Sequence, residues 1–212
     1  MKKYGLGCAG VVVLLVLITV FAARGSYNRL VKLSQGVDAQ WAQVQSQYQR
    51  RADLIPNLVQ TVSGAANFEK NTLADIVRAR ASVGQVQLNA TQSPNNSEQL
   101  RRYEQAQNDL SSALSRLLVV VERYPDLKAN NNFRDLQAQL EGTENRVAVE
   151  RMRFNESVQQ YNTAIKVFPA VLYAGVLGFQ AKPYFQSTPG SETAPKVQFD
   201  FGGQTSAPAK GP

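Results

Sequence analysis

Histidine is absent from the 212 residues, and cysteine occurs once, at Cys8. The commonest general base, the commonest metal ligand and any Cys/His nucleophile pair are therefore missing. A Cys/His zinc site cannot be built, nor a bundle-core di-iron centre with its Glu-x-x-His motif. No internal disulfide can form, so thiols say nothing about redox compartment. Between residues 25 and 168 no useful length alternates with period two, which removes the main signal of a half-buried strand. No metal, no cofactor and no catalytic residue is expected, and the chain is not predicted to be an enzyme.

A basic surplus of one kind is also lacking. The net charge is +7, but Lys2, Lys3 and Arg24, at the ends of an apolar run, supply +3 of it. Residues 170–212 add +1, leaving +3 over 25–169 from 17 basic and 14 acidic side chains. Such a mixed body is a solvated surface, and no nucleic acid is expected as a partner.

Long apolar runs are scarce too, with one exception. Leu6 to Ala23, "LGCAGVVVLLVLITVFAA", is 18 residues without a charge. As a helix it extends about 27 Å, close to a hydrocarbon core of about 30 Å. A retained single-span anchor at 6–23 behind a short tail at 1–5 is the reading adopted. A cleaved signal peptide is the competitor, with small residues at Val20 and Ala22. A lipoprotein signal fits poorly, because its cysteine should follow the apolar run. Basic residues flank both ends (Lys2 and Lys3; Arg24, Arg29 and Lys32), so charge alone orients the span weakly. The very short tail favours a signal-anchor in the cell (inner) membrane, with residues 25–212 on the extracytoplasmic side.

The body, 25–168, reads as helix. Leu30, Val37, Trp41, Val44, Tyr48, Ile55, Val59 and Val62 recur at spacings that make one apolar face. A second stripe runs from Leu73 to Val86 and a third from Leu100 to Tyr124. Asn96 and Gln99 resemble a capping box before the third, and Pro125 is expected to end it. The fourth, Phe133 to Phe168, is the longest. Asn131 or Asn132 should cap it and Pro169 should stop it. The fold class is all-α, an antiparallel four-helix bundle with long helices, preceded by one N-terminal transmembrane helix.

Pro56, within "RRADLIPNLV", interrupts the first stripe without changing its phase. It removes the amide that would bond the carbonyl of Ala52. A straight helix from Tyr27 to Val86 would reach about 90 Å and leave its far half without a partner. The chain must reverse, and Gly64 to Asn71 is the better place. Pro56 is therefore expected to bend one helix, although Asp53 capping a new helix with Pro56 in its first turn is the alternative.

Five segments occur in order: "YNRLVKL" (27–33), "RRADLIPNLVQTV" (50–62), "RYPDLKAN" (123–130), "TENRVAVERMRFNESVQQYN" (143–162) and "GFQAKPYF" (178–185). Together they resemble the LemA family over about 27–185. The resemblance implies a bacterial, membrane-anchored protein with one span and an antiparallel four-helix bundle. Some members are associated with organising bacterial membrane compartments, and the family supplies no catalytic motif. Gln60, where the family often carries a charge, is a small departure.

Three aromatic-Asn pairs, Tyr27-Asn28, Phe154-Asn155 and Tyr161-Asn162, stand out beside Arg51, Asp53, Asn57, Glu144, Asn145 and Arg151. They suit either a polar groove for a ligand or inter-helix hydrogen bonds that fix register, and the second is preferred. Asp53, Glu144 and Glu156 have no spacing that joins two of them for acid/base work. Arg78 with Arg80, and Arg101 with Arg102, read as solvated helix faces. Residues 169–186 form an apolar segment expected at the bundle base or the membrane surface. Residues 187–212, rich in Ser, Thr, Pro and Gly, read as a disordered tail. Within it Val197, Phe199 and Phe201 alternate in a manner suited to strand addition, although a plain flexible tail is preferred.

The function expected is a membrane-anchored scaffold or adaptor that binds another envelope protein, with a ligand-binding groove as the alternative. The topology has a direct check. Protease added outside intact spheroplasts should remove the tail after Gln186; protection until the membrane is opened would reverse the orientation.

Overall fold

A computed structural model describes residues 2–65, 68–86 and 93–186, with backbone alone for 2–20, 22 and 23. It contains α1 (Lys2–Ser63), α2 (Lys70–Gln85), α3 (Ser97–Val121), α4 (Pro125–Ala129) and α5 (Asn131–Lys166), then a 3-10 turn at Ala170–Leu172. Among the described residues there is no strand, and the class is all-α. Among them, too, no helix is long and apolar enough to cross a membrane. The run Leu6–Ala23 lies in the part of α1 whose side chains, Phe21 apart, fall outside the described residues. So do the 87–92 connection and the tail at 187–212.

Side-chain pairs fix the helix directions. Trp41 meets Phe154 and Arg51 meets Glu144, so α1 and α5 run antiparallel. Trp41 also meets Tyr103, and Arg51 meets Ser111, which sets α3 in the same sense as α1. At the far end Phe68 packs on Tyr124 (4.9 Å) and Glu69 pairs with Arg123 (3.3 Å). These contacts tie the start of α2 to the end of α3, so α2 runs against α3. The four longer helices thus alternate in direction.

The stripes become two apolar clusters. The one nearer residue 27 holds Val37, Trp41, Tyr48, Tyr103, Phe154 and Tyr161, with Trp41 and Phe154 wholly buried. The distal one holds Ile55, Leu58, Ile76, Leu110, Leu117 and Phe133. Fully burying one such side chain is worth about 1.5–3 kcal/mol, so these two clusters are the main source of stability.

α1 passes through Pro56 without interruption and ends at Ser63, where Gly64 N–H donates to the Gln60 carbonyl. α2 begins at Lys70 and runs the other way, so the chain reverses between the two helices. The Ala52 carbonyl that Pro56 leaves free accepts from Arg80 Nε on α2, at 3.3 Å. Arg80 thus does more than sit on a solvated face. It replaces the bond that proline removes and links α1 to α2.

Two boundary expectations are corrected. Pro125 does not end α3, which stops at Val121; Pro125 instead opens the short α4, where its missing N–H costs nothing. The cap of α5 is neither Asn131 nor Asn132 but Asn130, whose side chain accepts from the amides of Asn132 and Phe133. Asn96 caps α3 as expected, accepting from Glu98 N–H at 2.8 Å.

The segment 169–186 does two things rather than one. Up to Gly178 it is a stack of turns beside Tyr27, where Phe179 packs edge-on with ring centroids 5.6 Å apart. Gly178 lies at φ 82°, in the region that favours glycine, and there the chain turns. From Phe179 to Gln186 it climbs back along α5, and Phe185 enters the core, stacked 6.0 Å from Trp41.

Pro56→Ala restores one helical amide while the Ala52 carbonyl already has a partner. The variant should stay folded with equal or slightly higher thermal stability by circular dichroism, a change of no more than about 1 kcal/mol. A loss of several kcal/mol would show that the proline shapes a required turn.

Candidate functional site

Between the two apolar clusters lies a polar layer centred on Arg51, one helical turn after Tyr48 and one before Ile55. Only 1% of Arg51 is exposed. Its Nη1 donates to Glu144 Oε2 (2.7 Å) and Ser111 Oγ (2.8 Å). Its Nη2 donates to the backbone and side-chain carbonyls of Gln107. Ser111 Oγ donates in turn to the other oxygen of Glu144 (3.2 Å), and the guanidinium lies 5.2 Å over the Tyr48 ring. A planar fork with five donors suits this arrangement, where a lysine would not. Burial raises the hydroxyls on either side, Tyr48 and Tyr103, the latter to about 12. Both remain protonated donors at neutral pH.

Toward the base, a second node joins Arg151 to Glu104 (2.7 Å), with Gln186 N–H also donating to Glu104 and its carbonyl accepting from Arg151. Burial pushes the Glu104 carboxyl up, against the opposing pull of Arg151 and the Gln186 amide. The Arg151 guanidinium lies 4.6 Å over the Phe185 ring.

Asn155 and Asn162 grip the climbing chain. Asn162 Nδ2 donates to the Lys182 carbonyl (2.8 Å), and Lys182 N–H donates to Asn162 Oδ1 (2.9 Å). Asn155 makes the same pair of hydrogen bonds with Phe185: its Nδ2 donates to the Phe185 carbonyl (3.0 Å) and its Oδ1 accepts from the Phe185 N–H (2.9 Å). Seven residues of helix rise about 10.5 Å, and three residues of extended chain cover about 10 Å. The two amides therefore match the two backbone positions in register.

A third node is buried near the base. Lys182 Nζ donates to Asp38 (2.9 Å) and to Ser93, whose hydroxyl and amide both donate to Asp38 (2.7 and 3.0 Å). Burial works to raise the Asp38 carboxyl, but the Ser93 bonds and the Lys182 charge outweigh it and hold it below its ordinary value.

Of the nine residues singled out in sequence, Arg51, Glu144, Arg151, Asn155 and Asn162 thus join elements together. Asn28, Asn57 and Asn145 are exposed. Asp53 is exposed and accepts from Gln49 one turn earlier on the same helix (2.7 Å). Asp53, Glu144 and Glu156 are not linked to one another. Among the described residues no cluster of acidic or thiol ligands could hold a metal ion. Sequence reasoning missed Gln107, Ser111, Glu104, Asp38, Ser93 and Lys182. Only Lys182, the lone charge in a long apolar segment, carried a signal.

Beside Arg51 a cleft of about 210 Å³ opens between α3 and α5. Leu58, Leu114, Leu118 and Leu140 form its apolar wall, with Ser111 and Glu144 next to the arginine.

The family model for the LemA family matches residues 40–199, most of the body and every residue of the polar nodes just described except Asp38. This chain belongs to the LemA family. It is also similar to two proteins named magnetosome protein MamQ. Identity is 33% over 88 residues with the one from Magnetospirillum gryphiswaldense and 32% over 88 with one from Paramagnetospirillum magneticum. Each match covers 42% of this chain and 32% of the relative, so the chain spans about a third of the length of the curated relatives it matches.

Arg51 and Glu144 are unequal partners, because half of the Glu144 side chain (51%) meets solvent. Arg51→Met should cost about 2–3 kcal/mol, since the buried Gln107 and the half-buried Ser111 lose their donor. Glu144→Gln should cost less than about 1 kcal/mol. Urea unfolding of residues 24–212 measures both, and equal costs would show that the ion pair dominates the node.

Proposed function

We propose that this LemA-family chain is a non-enzymatic, membrane-anchored helical scaffold of the bacterial cell envelope that binds other envelope proteins. One observation carries the reading: five of the nine polar signature residues are engaged in holding the body together. Arg51, Arg151, Asn155 and Asn162 each bind a segment other than their own helix, which stiffens the body and commits these four side chains to structure. The anchor is Leu6–Ala23, continuous with the body through α1. The body stands outside the cytoplasm. The likeness to proteins named for the magnetosome supports a place at a membrane.

The cleft beside Arg51 favours a second reading, a module holding a small or polymeric envelope ligand. Among the described residues Arg51 Nε is buried without a partner, and four leucines line the cleft beside Ser115, Gln137 and Glu141. Its 210 Å³ falls short of the roughly 300–1,000 Å³ of ordinary ligand pockets, so the scaffold reading leads.

Chemical crosslinking in cells followed by purification of the full chain from mild detergent separates the two. A scaffold retains a defined protein partner whose capture survives Leu114→Phe, which fills the cleft. Native mass spectrometry showing a bound non-protein molecule that Leu114→Phe removes, with no protein partner, would favour the second reading.

A further inference from the structure

The turns at 169–178 bury the wrong residues for a surface facing water. Ala170 and Ala174 point inward, 2% and 3% exposed. The larger apolar side chains point out: Val176 is 89% exposed, Phe168 78% and Leu172 70%, with Val167, Val171 and Leu177 beside them. The arrangement is held by the turn's own bonds, among them Ala174 N–H to the Ala170 carbonyl (2.8 Å) and Phe179 N–H to the Ala174 carbonyl (2.9 Å). An outward apolar patch held in place by its own backbone marks a contact surface.

Position says what it contacts. Arg24, Tyr27, Tyr173, Val176 and Leu177 line one cleft of about 360 Å³. Tyr27 is four residues beyond Ala23 on the same uninterrupted helix, a rise of about 6 Å. If the run to Ala23 ends at the hydrocarbon boundary, this cleft falls within the headgroup layer, which is about 5–8 Å deep on each side.

Charge narrows the occupant further. Arg24, Arg29, Lys32 and Lys166 are exposed around the same end. No carboxylate occurs between Arg24 and Val37 or between Ser157 and Gln186, and the nearest, Asp38, is neutralised by Lys182. Apolar side chains ringed by unopposed cations suit an anionic lipid surface.

We infer that this end of the body is a docking surface for anionic phospholipid, seated on the bilayer that the anchor crosses. The inference rests on the anchored reading above. The protein then has two membrane contacts, a span and a flat apolar foot formed by residues 167–177. The foot holds the body upright rather than leaving it free to swing.

The test uses the full chain with Cys8→Ser and one nitrobenzoxadiazole-labelled cysteine at a time, at Leu14, Val176 or Glu122. Glu122 lies at the distal end with an exposed side chain. Reconstitution is in phosphatidylcholine vesicles with or without about 30% phosphatidylglycerol. Leu14→Cys should be quenched by lipids carrying a deep nitroxide, which reports the anchor. Val176→Cys should be quenched by shallow nitroxides about threefold more than Glu122→Cys, and more strongly with phosphatidylglycerol. Arg29→Gln with Lys32→Gln should remove that lipid dependence. Deep quenching at Leu14 with Val176 as water-exposed as Glu122 would overturn the foot and leave the anchor standing. Val176 shielded from aqueous iodide yet unquenched by lipid would also overturn it, since protein would then cover the patch. Failure of quenching at Leu14 would sink the anchored reading and the foot together.

Discussion

A guanidinium removed from water must find acceptors for its donors, and in this protein the acceptors come from two other helices. Arg51 on α1 takes Gln107 and Ser111 from α3 and Glu144 from α5. Sliding either helix by one residue would separate at least one acceptor from the fork, leaving buried charge uncompensated at several kcal/mol. Apolar stripes alone tolerate such a slip far better, because leucine packs against leucine at neighbouring positions almost as well. The polar layer therefore sets the alignment of two clusters that supply most of the burial.

Asparagine plays the matching role for the C-terminal chain. In the pairs Phe154-Asn155 and Tyr161-Asn162 the aromatic ring enters the core and the following amide reaches the climbing segment. An asparagine amide presents a donor and an acceptor side by side, as a neighbouring strand would, so a helix can satisfy extended backbone beside it. The third pair, Tyr27-Asn28, lacks this function: Asn28 is exposed, and Tyr27 meets Phe179 through its ring.

The apolar spacing made the helices legible, and Pro56 was legible as an interior residue because the stripe kept phase across it. The α3/α4 break was not, since Leu100 to Tyr124 reads as one stripe although Tyr124 packs against Phe68 from outside the helix. The cap of α5 was missed by one residue because three consecutive asparagines have equal capping chemistry. Arg51, Glu144, Asn155 and Asn162 were visible as unusual polar residues on helices. Their partners were not, because Gln107 and Ser111 look like ordinary surface residues until packing buries the first and half-covers the second. In the sequence Phe185 belongs to an apolar end segment. Nothing local reveals that the chain climbs some 16 Å of α5 to place it on Trp41.

Force would meet this climbing segment in an uneven way. It runs antiparallel to α5, with Asn162 and Asn155 gripping it at two levels and Phe185 wedged near the upper one. Tension along the bundle axis at Gln186 loads both amide pairs and the aromatic wedge at once, in shear. Tension at right angles to the axis opens the Arg151 contact first, then the Asn155 pair, then the Asn162 pair, each alone. The same few bonds thus form a strong fastening along the long axis and a zip across it.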